Sequence, residues 1–539
     1  MSSVFSRRAV LICVLFLLCG FSVFSAGLFM PGEGEVDELV YLYEEAGYVF
    51  PAESYPMPKR TLLKYADRLL GLVSDTELVG RIEEYIDDLG YEEGTVIAGV
   101  SGSYAIEGYY RTEENWSDFK RLFLETPPFA TLALSCMDEG SGGAYIEAAF
   151  RREYFEPGFA ESNLFTSEAR NPVAAENLFI RRGMLFMLSG PFELSLGRDS
   201  AHFGSGDFSS LLLSKDLPFY DAFSLKLPLG PFQLTWYVAS LDNHETMDEK
   251  DYIAATGGET STYPAGDPSE GWDYAFEETS IFAAMHRFEY SFDRVRLGAT
   301  GLSILARDNN AFVLGDFFPV TSWHNSNVGF HNLSLVLDLS VAPLRGLNIF
   351  AMAGYDDINA MDVFGVGDRD IPTIDAYVLG ASYRKHLNNI GIQAKFEFGK
   401  THYLWGNFWG PGNPDYNYVF ERAVYRVVMD HDNRLMPLTS PYGPGSLWAK
   451  VKADVELGKG FSIGSDFLFL RKIDDVDLIS TPYERNDSLE SAPATDTIVF
   501  GIPASWKFRD WLTLTFEPAV FHREGEGLWF EFSLGVSGR

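Results

Sequence analysis

Strict alternation of apolar and polar residues is the feature that most constrains the fold of this chain. Between Leu333 and Val341, every second residue is leucine or valine, and the residues between them include Ser334, Asp338 and Ser340. The segments at 390–399, 512–521 and 528–537 alternate in the same way. Successive side chains of a β-strand point to opposite faces, so each segment is predicted to be a strand with one apolar and one polar face.

Two architectures would accept such strands. In a transmembrane β-barrel the apolar face contacts lipid and the polar face lines the lumen, whereas in a soluble β-sandwich the apolar face packs against a second sheet. The connections favour the barrel, because short turns such as 190–191 and 230–231 alternate with long connections such as 243–278 and 403–443. Outer-membrane barrels have this asymmetry between short periplasmic turns and long outer loops.

The predicted fold class is therefore all-β, a transmembrane antiparallel β-barrel of about 18 strands with a small N-terminal α-helical unit. An even strand number returns both ends of the barrel to the same side of the membrane. The segment from Tyr418 to Val428 is placed in a connection, although it could also form a strand. The strands are predicted at 95–109, 128–137, 142–155, 178–190, 192–200, 219–229, 232–242, 279–292, 295–307, 332–343, 347–357, 375–385, 390–402, 444–457, 461–474, 495–508, 512–524 and 527–538.

The first 26 residues have the parts of a secretory signal peptide. Arg7 and Arg8 precede an apolar run at 9–24, and the small residues Ser25 and Ala26 follow it. A transmembrane anchor and a lipoprotein signal at Cys19 are the alternatives. We therefore divide the chain into a signal peptide at 1–26, a helical domain at 27–94 and a barrel at 95–539.

Residues 27–94 have helical rather than strand periodicity. One helix is predicted to end at Gly47, a second to span 58–72, and a third to begin at the N-cap Ser74 and to end at Gly90. Because both barrel ends lie on the periplasmic side in this prediction, the helical unit is expected in the periplasm. There it could bind periplasmic assembly proteins.

Charge and residue content exclude several functions. The chain has 42 Lys and Arg against 76 Asp and Glu, a net charge of −34, which disfavours a nucleic-acid partner. His244 and Glu245 lack the second histidine of a zinc motif, and the acidic residues near Asp430 lack the glycine and glutamate of an EF-hand. We therefore expect no metal, no cofactor and no enzymatic activity.

The region from Ser195 to Leu225 resembles the signature region of the Wzi-type capsule-assembly family. Phe203, Ser205 and Asp216 stand where the family has Trp, Pro and Asn. The resemblance implies an 18-stranded outer-membrane barrel that is narrowed by inward loops and acts as a surface lectin for capsular polysaccharide. The residues that match the family motif or replace its aromatic residue are Gly197, Asp199, Phe203, Gly204, Gly206, Leu211, Leu212, Leu213, Ser214 and Pro218.

The long connection after residue 402 combines aromatic rings with amides. Sugar rings have apolar C–H faces and polar rims, so this combination is typical of a glycan site, although an aromatic girdle at the membrane surface would look similar. The alternative function is a porin-like channel for small solutes, with Asp338, Glu397, Glu517 and Glu531 favouring cations. The candidate glycan-binding residues are Tyr403, Trp405, Asn407, Phe408, Trp409, Tyr416, Asn417 and Tyr418.

The expected partners of the barrel therefore comprise the lipid of the outer membrane and a surface polysaccharide, with periplasmic assembly proteins as a further partner of residues 27–94.

Overall fold

A computed structural model gives the fold of most of the chain. It describes residues 28–31, 34–90, 96–112, 128–138, 140–152, 175–213, 215, 217, 219–241, 280–307, 331–358, 372–387, 390–407, 423–427, 434–478, 481, 483, 485–509, 511–525 and 527–538. The predicted signal peptide lies outside the described residues.

Antiparallel strands form one closed barrel, and the first strand pairs with the last from Tyr104 opposite Gly538 to Arg111 opposite Glu531. The predicted fold class, with 18 strands, is confirmed. The strands are β1 (Val96–Arg111), β2 (Ala130–Asp138), β3 (Gly142–Arg152), β4 (Ala175–Ser189), β5 (Phe192–Asp199), β6 (Tyr220–Leu229), β7 (Phe232–Leu241), β8 (Ser280–Ser291), β9 (Val295–Arg307), β10 (His331–Leu344), β11 (Leu347–Asp357), β12 (Ile374–Leu387), β13 (Ile390–Thr401), β14 (Ser446–Glu456), β15 (Phe461–Ile473), β16 (Ala494–Gly501 and Ala504–Arg509), β17 (Leu512–Arg523) and β18 (Gly527–Gly538).

Strand β16 has two segments because Pro503 interrupts it. Proline has no backbone N–H to donate to the ladder, so strands commonly break at such a residue. Both segments pair with β15 on one side and β17 on the other, and they therefore occupy one position in the barrel. The sequence-based prediction of a single strand at 495–508 missed this break.

The apolar face of the strands points outward, as the alternation predicts. On β10, the side chains of Leu335, Leu337 and Leu339 are 38–48% exposed, whereas Asp338 and Ser340 are at most 4% exposed. An outward apolar face contacts lipid in a membrane barrel, and the polar face then lines the lumen. Among the described residues, no helix is both long enough and apolar enough to cross a membrane.

The long connection after β13 contains a small hairpin. Val424–Val427 pairs with Arg434–Pro437, and in the described residues this two-stranded sheet is separate from the barrel ladder. The alternative strand at 418–428 therefore exists in part, but it does not change the strand number of the barrel.

In the described part of the chain before the barrel there are three helices: α1 (Gly34–Ala46), α2 (Lys59–Leu72) and α3 (Thr76–Leu89). We call them the helical unit. Gly47 and Gly90 follow α1 and α3 with φ of +84° and +58°, as predicted for helix ends. The predicted N-cap Ser74 is wrong by one residue, because the side chain of Asp75 accepts a hydrogen bond from the N–H of Glu77.

The helical unit closes part of the end of the barrel that carries the short turns. Glu44 of α1 forms an ion pair with Arg384 at 2.9 Å and accepts a hydrogen bond from Ser382, both on β12. Arg68 of α2 pairs with Asp293 in the turn after β8, and Arg60 donates to the carbonyl of Gly190 after β4. The unit is thus fastened to several turns at one end, which we call the short-turn end.

Candidate functional site

The described residues 200–213, 215, 217 and 219, between β5 and β6, run into the lumen, and we call them the inward segment. Leu211, Leu212 and Leu213 in this segment are 0% exposed and belong to the largest apolar core of the described chain. Further along the lumen, His202–Phe203 pairs as a short strand with Ser54–Tyr55, which follows α1. The chain before the barrel and the inward segment therefore meet inside the barrel and fill part of its lumen.

One buried glutamate attaches the inward segment to the barrel wall. Glu397 on β13 accepts hydrogen bonds from the N–H groups of Asp207 and Phe208, each at 3.0 Å. It also accepts one from the hydroxyl of Ser209 at 2.5 Å and one from Nε1 of Trp448 at 3.1 Å. Four donors from two elements converge on one carboxylate with 0% exposure. This carboxylate fixes the position of the segment.

The glycines of the family-like motif stand where a side chain would not fit. A Cβ on Gly206 would lie 1.8 Å from the carbonyl oxygen of Ser209, and a Cβ on Gly197 would lie 2.1 Å from that of Gly183. Gly197 also has φ of +136°, a conformation that favours glycine. Gly206 thus permits a close backbone approach within the inward segment, and Gly197 permits the close approach of β5 to β4 just before that segment.

The other described motif residues are also buried in this turn. The carboxylate of Asp199 is 1% exposed, pairs with Arg182 at 2.7 Å and accepts hydrogen bonds from Tyr145 and the N–H of Ser200. Phe203 is 0% exposed and packs edge-on against a tyrosine of β7. The motif therefore shapes the inward segment. Ser214 and Pro218 lie outside the described residues.

A buried ionic network holds the chain before the barrel in the lumen. Arg287 on β8 pairs with Asp338 at 2.6 Å and with Glu289 at 3.1 Å. Glu289 in turn accepts hydrogen bonds from the N–H of Glu53 and the hydroxyl of Ser54. Each of these buried charged groups has an opposite charge or a hydrogen-bond donor beside it. Such partners are needed because burial of an unpaired charge costs much free energy.

The acidic residues proposed for a channel differ in their access to water. Asp338 and Glu397 are 4% and 0% exposed and are engaged by the contacts described above. Glu531 is 6% exposed, and Nε1 of Trp529 donates to it. Glu517 on β17 is half-buried. Of these four lumen carboxylates, Glu517 is therefore the one with substantial exposure.

The described candidates for glycan binding are core residues. Tyr403, Trp405 and Asn407 are 2–3% exposed. Nε1 of Trp405 donates to Thr439 at 3.0 Å, and the amide of Asn407 donates to a backbone carbonyl at 2.9 Å. The structure brings these three residues together beneath the surface. Phe408, Trp409, Tyr416, Asn417 and Tyr418 lie outside the described residues.

A polar cavity of about 330 Å³ lies between the inward segment, α1 and the lumen faces of β11 to β15. Sequence reasoning missed it, because its lining comes from elements that are far apart in the chain. Among the residues that line it are Phe208, Gln393, Lys395, Lys452 and Asp454. Polar side chains and an aromatic ring thus face one volume in this cavity.

No protein-family model and no curated protein matches the sequence. Among solved structures, Wzi of Escherichia coli aligns with a TM-score of 0.58 and 12% identity, over 95% of this chain and 99% of Wzi. Wzi is described as an outer-membrane protein involved in group 1 capsule assembly and as a carbohydrate-binding β-barrel.

Two other barrels align more weakly. OccAB4 of Acinetobacter baumannii has a TM-score of 0.41 at 10% identity, over 83% of this chain and 98% of OccAB4. A BenF-like porin from Pseudomonas fluorescens has a TM-score of 0.40 at 8% identity, over 83% and 98% of the two chains. The likeness to Wzi shows the fold of an outer-membrane β-barrel.

Proposed function

We propose that this protein binds surface polysaccharide at the bacterial outer membrane and assists the assembly or attachment of a capsule or exopolysaccharide. The observation that carries the proposal is the inward segment, whose Wzi-like residues are buried in the lumen and hydrogen-bonded to the wall. A lumen filled in this way suits a rigid scaffold for binding better than a wide pore. The fold shared with a barrel described as carbohydrate-binding, and the motif resemblance to the Wzi-type family, point in the same direction.

In this proposal the short-turn end and the helical unit face the periplasm, and the long connections face the cell exterior. Outer-membrane barrels have their short turns on the periplasmic side. The helical unit is then available to periplasmic assembly proteins, and the apolar outer face of the strands contacts outer-membrane lipid.

The glycan contacts are assigned to the connection after β13. Tyr403, Trp405 and Asn407 form its buried base, and the following aromatic and amide residues, including Trp409 and Tyr418, are the proposed contacts with the sugar rings. Aromatic side chains offer flat apolar faces to sugar C–H groups, while amides bond to hydroxyls.

The test compares two tryptophans of the same connection. In the purified full-length protein, Trp409→Ala is expected to abolish binding to the host's surface polysaccharide without changing the melting temperature. Trp405→Ala, the matched control, is expected to lower the melting temperature, because its buried ring packs in the core. Wild-type polysaccharide binding by a folded Trp409→Ala variant would contradict the assigned site.

A second candidate function is a porin-like channel for small, cationic solutes. It is favoured by the wall formed by β17, β18 and β1, where the lumen-facing Glu517, Thr515 and Ser103 are half-buried rather than covered. Planar-bilayer recordings of the full-length protein decide this point. A steady cation-selective current supports the channel, and a closed barrel supports the binding protein.

A further inference from the structure

The cavity beside the inward segment has an unusual set of polar groups. Gln393 on β13 and Asp454 on β14 lie directly opposite each other, and Lys452 lies two residues before Asp454 on the same lumen face of β14. All three side chains are half-buried. Within the part of the chain that the structure describes, none of the three has a hydrogen bond or an ion pair. An amide, a carboxylate and an ammonium group therefore remain available to a ligand.

The lysine next to Lys452 across the strands has a carboxylate partner of its own. Lys395 lies directly opposite Lys452, and like charges in that position repel each other. Asp207 of the inward segment forms an ion pair with Lys395 at 2.5 Å and thereby neutralises it. Lys452 lies directly opposite Asp466 on β15, which also lines the cavity, but among the described residues no ion pair joins the two side chains, and the ammonium group of Lys452 faces the cavity.

An aromatic ring completes the lining. Phe208 is half-buried, lines the cavity and is held by its N–H bond to Glu397. Nζ of Lys450 lies 4.9 Å from the centre of its ring. A volume of about 330 Å³ is at the lower end of the range, about 300–1,000 Å³, of small-molecule sites.

We propose that this cavity is a second saccharide site that binds one or two sugar rings and prefers an acidic sugar. The sugar packs a C–H face on Phe208, its hydroxyls bond to Gln393 and Asp454, and its carboxylate pairs with Lys452. The position of the site goes beyond the proposed function, because it lies at the short-turn end. Gln393 is three residues from the beginning of β13, which corresponds to about 10 Å at about 3.4 Å per residue. The ligand therefore enters from the end opposite to the long connections.

The experiment titrates the purified full-length protein in detergent with digalacturonic acid and, separately, with maltose. The wild type is expected to bind the acidic disaccharide at least tenfold more tightly than maltose. Lys452→Met is expected to remove this preference. The double variant Gln393→Ala with Asp454→Asn is expected to lower the affinity for both disaccharides at least tenfold. Lys507→Met, which changes an exposed lysine of β16 that does not line the cavity, is the matched control and is expected to bind as the wild type does.

The outcomes separate this inference from the proposed function. Failure of the wild type to bind either disaccharide, or wild-type affinity in the double variant, overturns the cavity site. The Trp409→Ala variant is expected to bind the disaccharide as the wild type does but no longer to bind the long polysaccharide. If the wild type binds the polysaccharide but neither disaccharide, the cavity site alone is refuted. If the disaccharide binds and no variant of the long connection affects the polysaccharide, the outer site alone is refuted.

Discussion

Replacement of Glu397 is expected to release the inward segment from the barrel wall. The carboxylate accepts four hydrogen bonds, three of which come from the consecutive residues Asp207, Phe208 and Ser209. A hydrogen bond to a charged group contributes about 1.5–3 kcal/mol, but bonds to one acceptor do not add independently. Removal of the carboxylate leaves these buried donors without an acceptor, which costs about 1–3 kcal/mol for each donor, and we take about 3–5 kcal/mol for the group because the losses are not additive. We therefore expect Glu397→Ala to favour local opening of the segment by roughly a hundredfold to several thousandfold.

Native-state hydrogen exchange measures this opening directly. In Glu397→Ala, the amides of Asp207 and Phe208 are expected to exchange faster by that factor, because they lose their acceptor. Glu397→Gln keeps one acceptor oxygen but turns an NH₂ group toward other donors, so its effect is expected to be intermediate. Ladder amides of β8 and β9, which do not contact Glu397, serve as the internal control. Wild-type exchange at Asp207 and Phe208 in Glu397→Ala would refute the anchoring role.

Three further changes test other parts of the structure. Trp405→Ala removes a buried ring and is expected to lower the free energy of unfolding by about 3–5 kcal/mol in a urea titration, and an unchanged midpoint would contradict its place in the core. Arg287→Met leaves Asp338 buried without its cation, and we expect a loss of about 3–5 kcal/mol in the same titration, which Arg287→Met with Asp338→Leu recovers in part. Burial, reinforced by nearby lysine and arginine side chains, lowers the pKa of His202 well below 6.5. The inward segment is therefore expected to lose about 1.4 kcal/mol per pH unit as the pH falls below about 6.5, measured by hydrogen exchange, and an equal slope in His202→Gln would contradict this.

The barrel could be predicted from the sequence because the alternation of apolar and polar residues is visible within each strand. A residue such as Leu337 and its neighbour Asp338 show the two faces of a strand without any knowledge of their partners. The break at Pro503 was missed, since alternation continues on both sides of it. The predicted N-cap was Ser74, whereas the structure has Asp75 in this position. Either side chain can cap a helix, and the choice between them depends on local geometry.

The site was harder to predict because it depends on contacts between distant residues. Trp405 and Asn407 have the composition of a glycan site, but composition does not distinguish a buried tryptophan from an exposed one. The three leucines at 211–213 indicate an apolar segment, although their packing partners come from strands across the barrel. The lining of the polar cavity includes Phe208 and Gln393, which are nearly two hundred residues apart in the chain. No local sequence motif therefore predicts the cavity.

The contacts of Ser54 have a consequence for how the protein forms. Its hydroxyl bonds to Glu289, which comes 235 residues later in the chain. Loop-closure entropy makes contacts of such high sequence separation slow to form. The chain before the barrel is synthesised first, but it acquires its buried partners only when β8 exists. Its insertion into the lumen is therefore a late event of folding, coupled to the assembly of the strands around it.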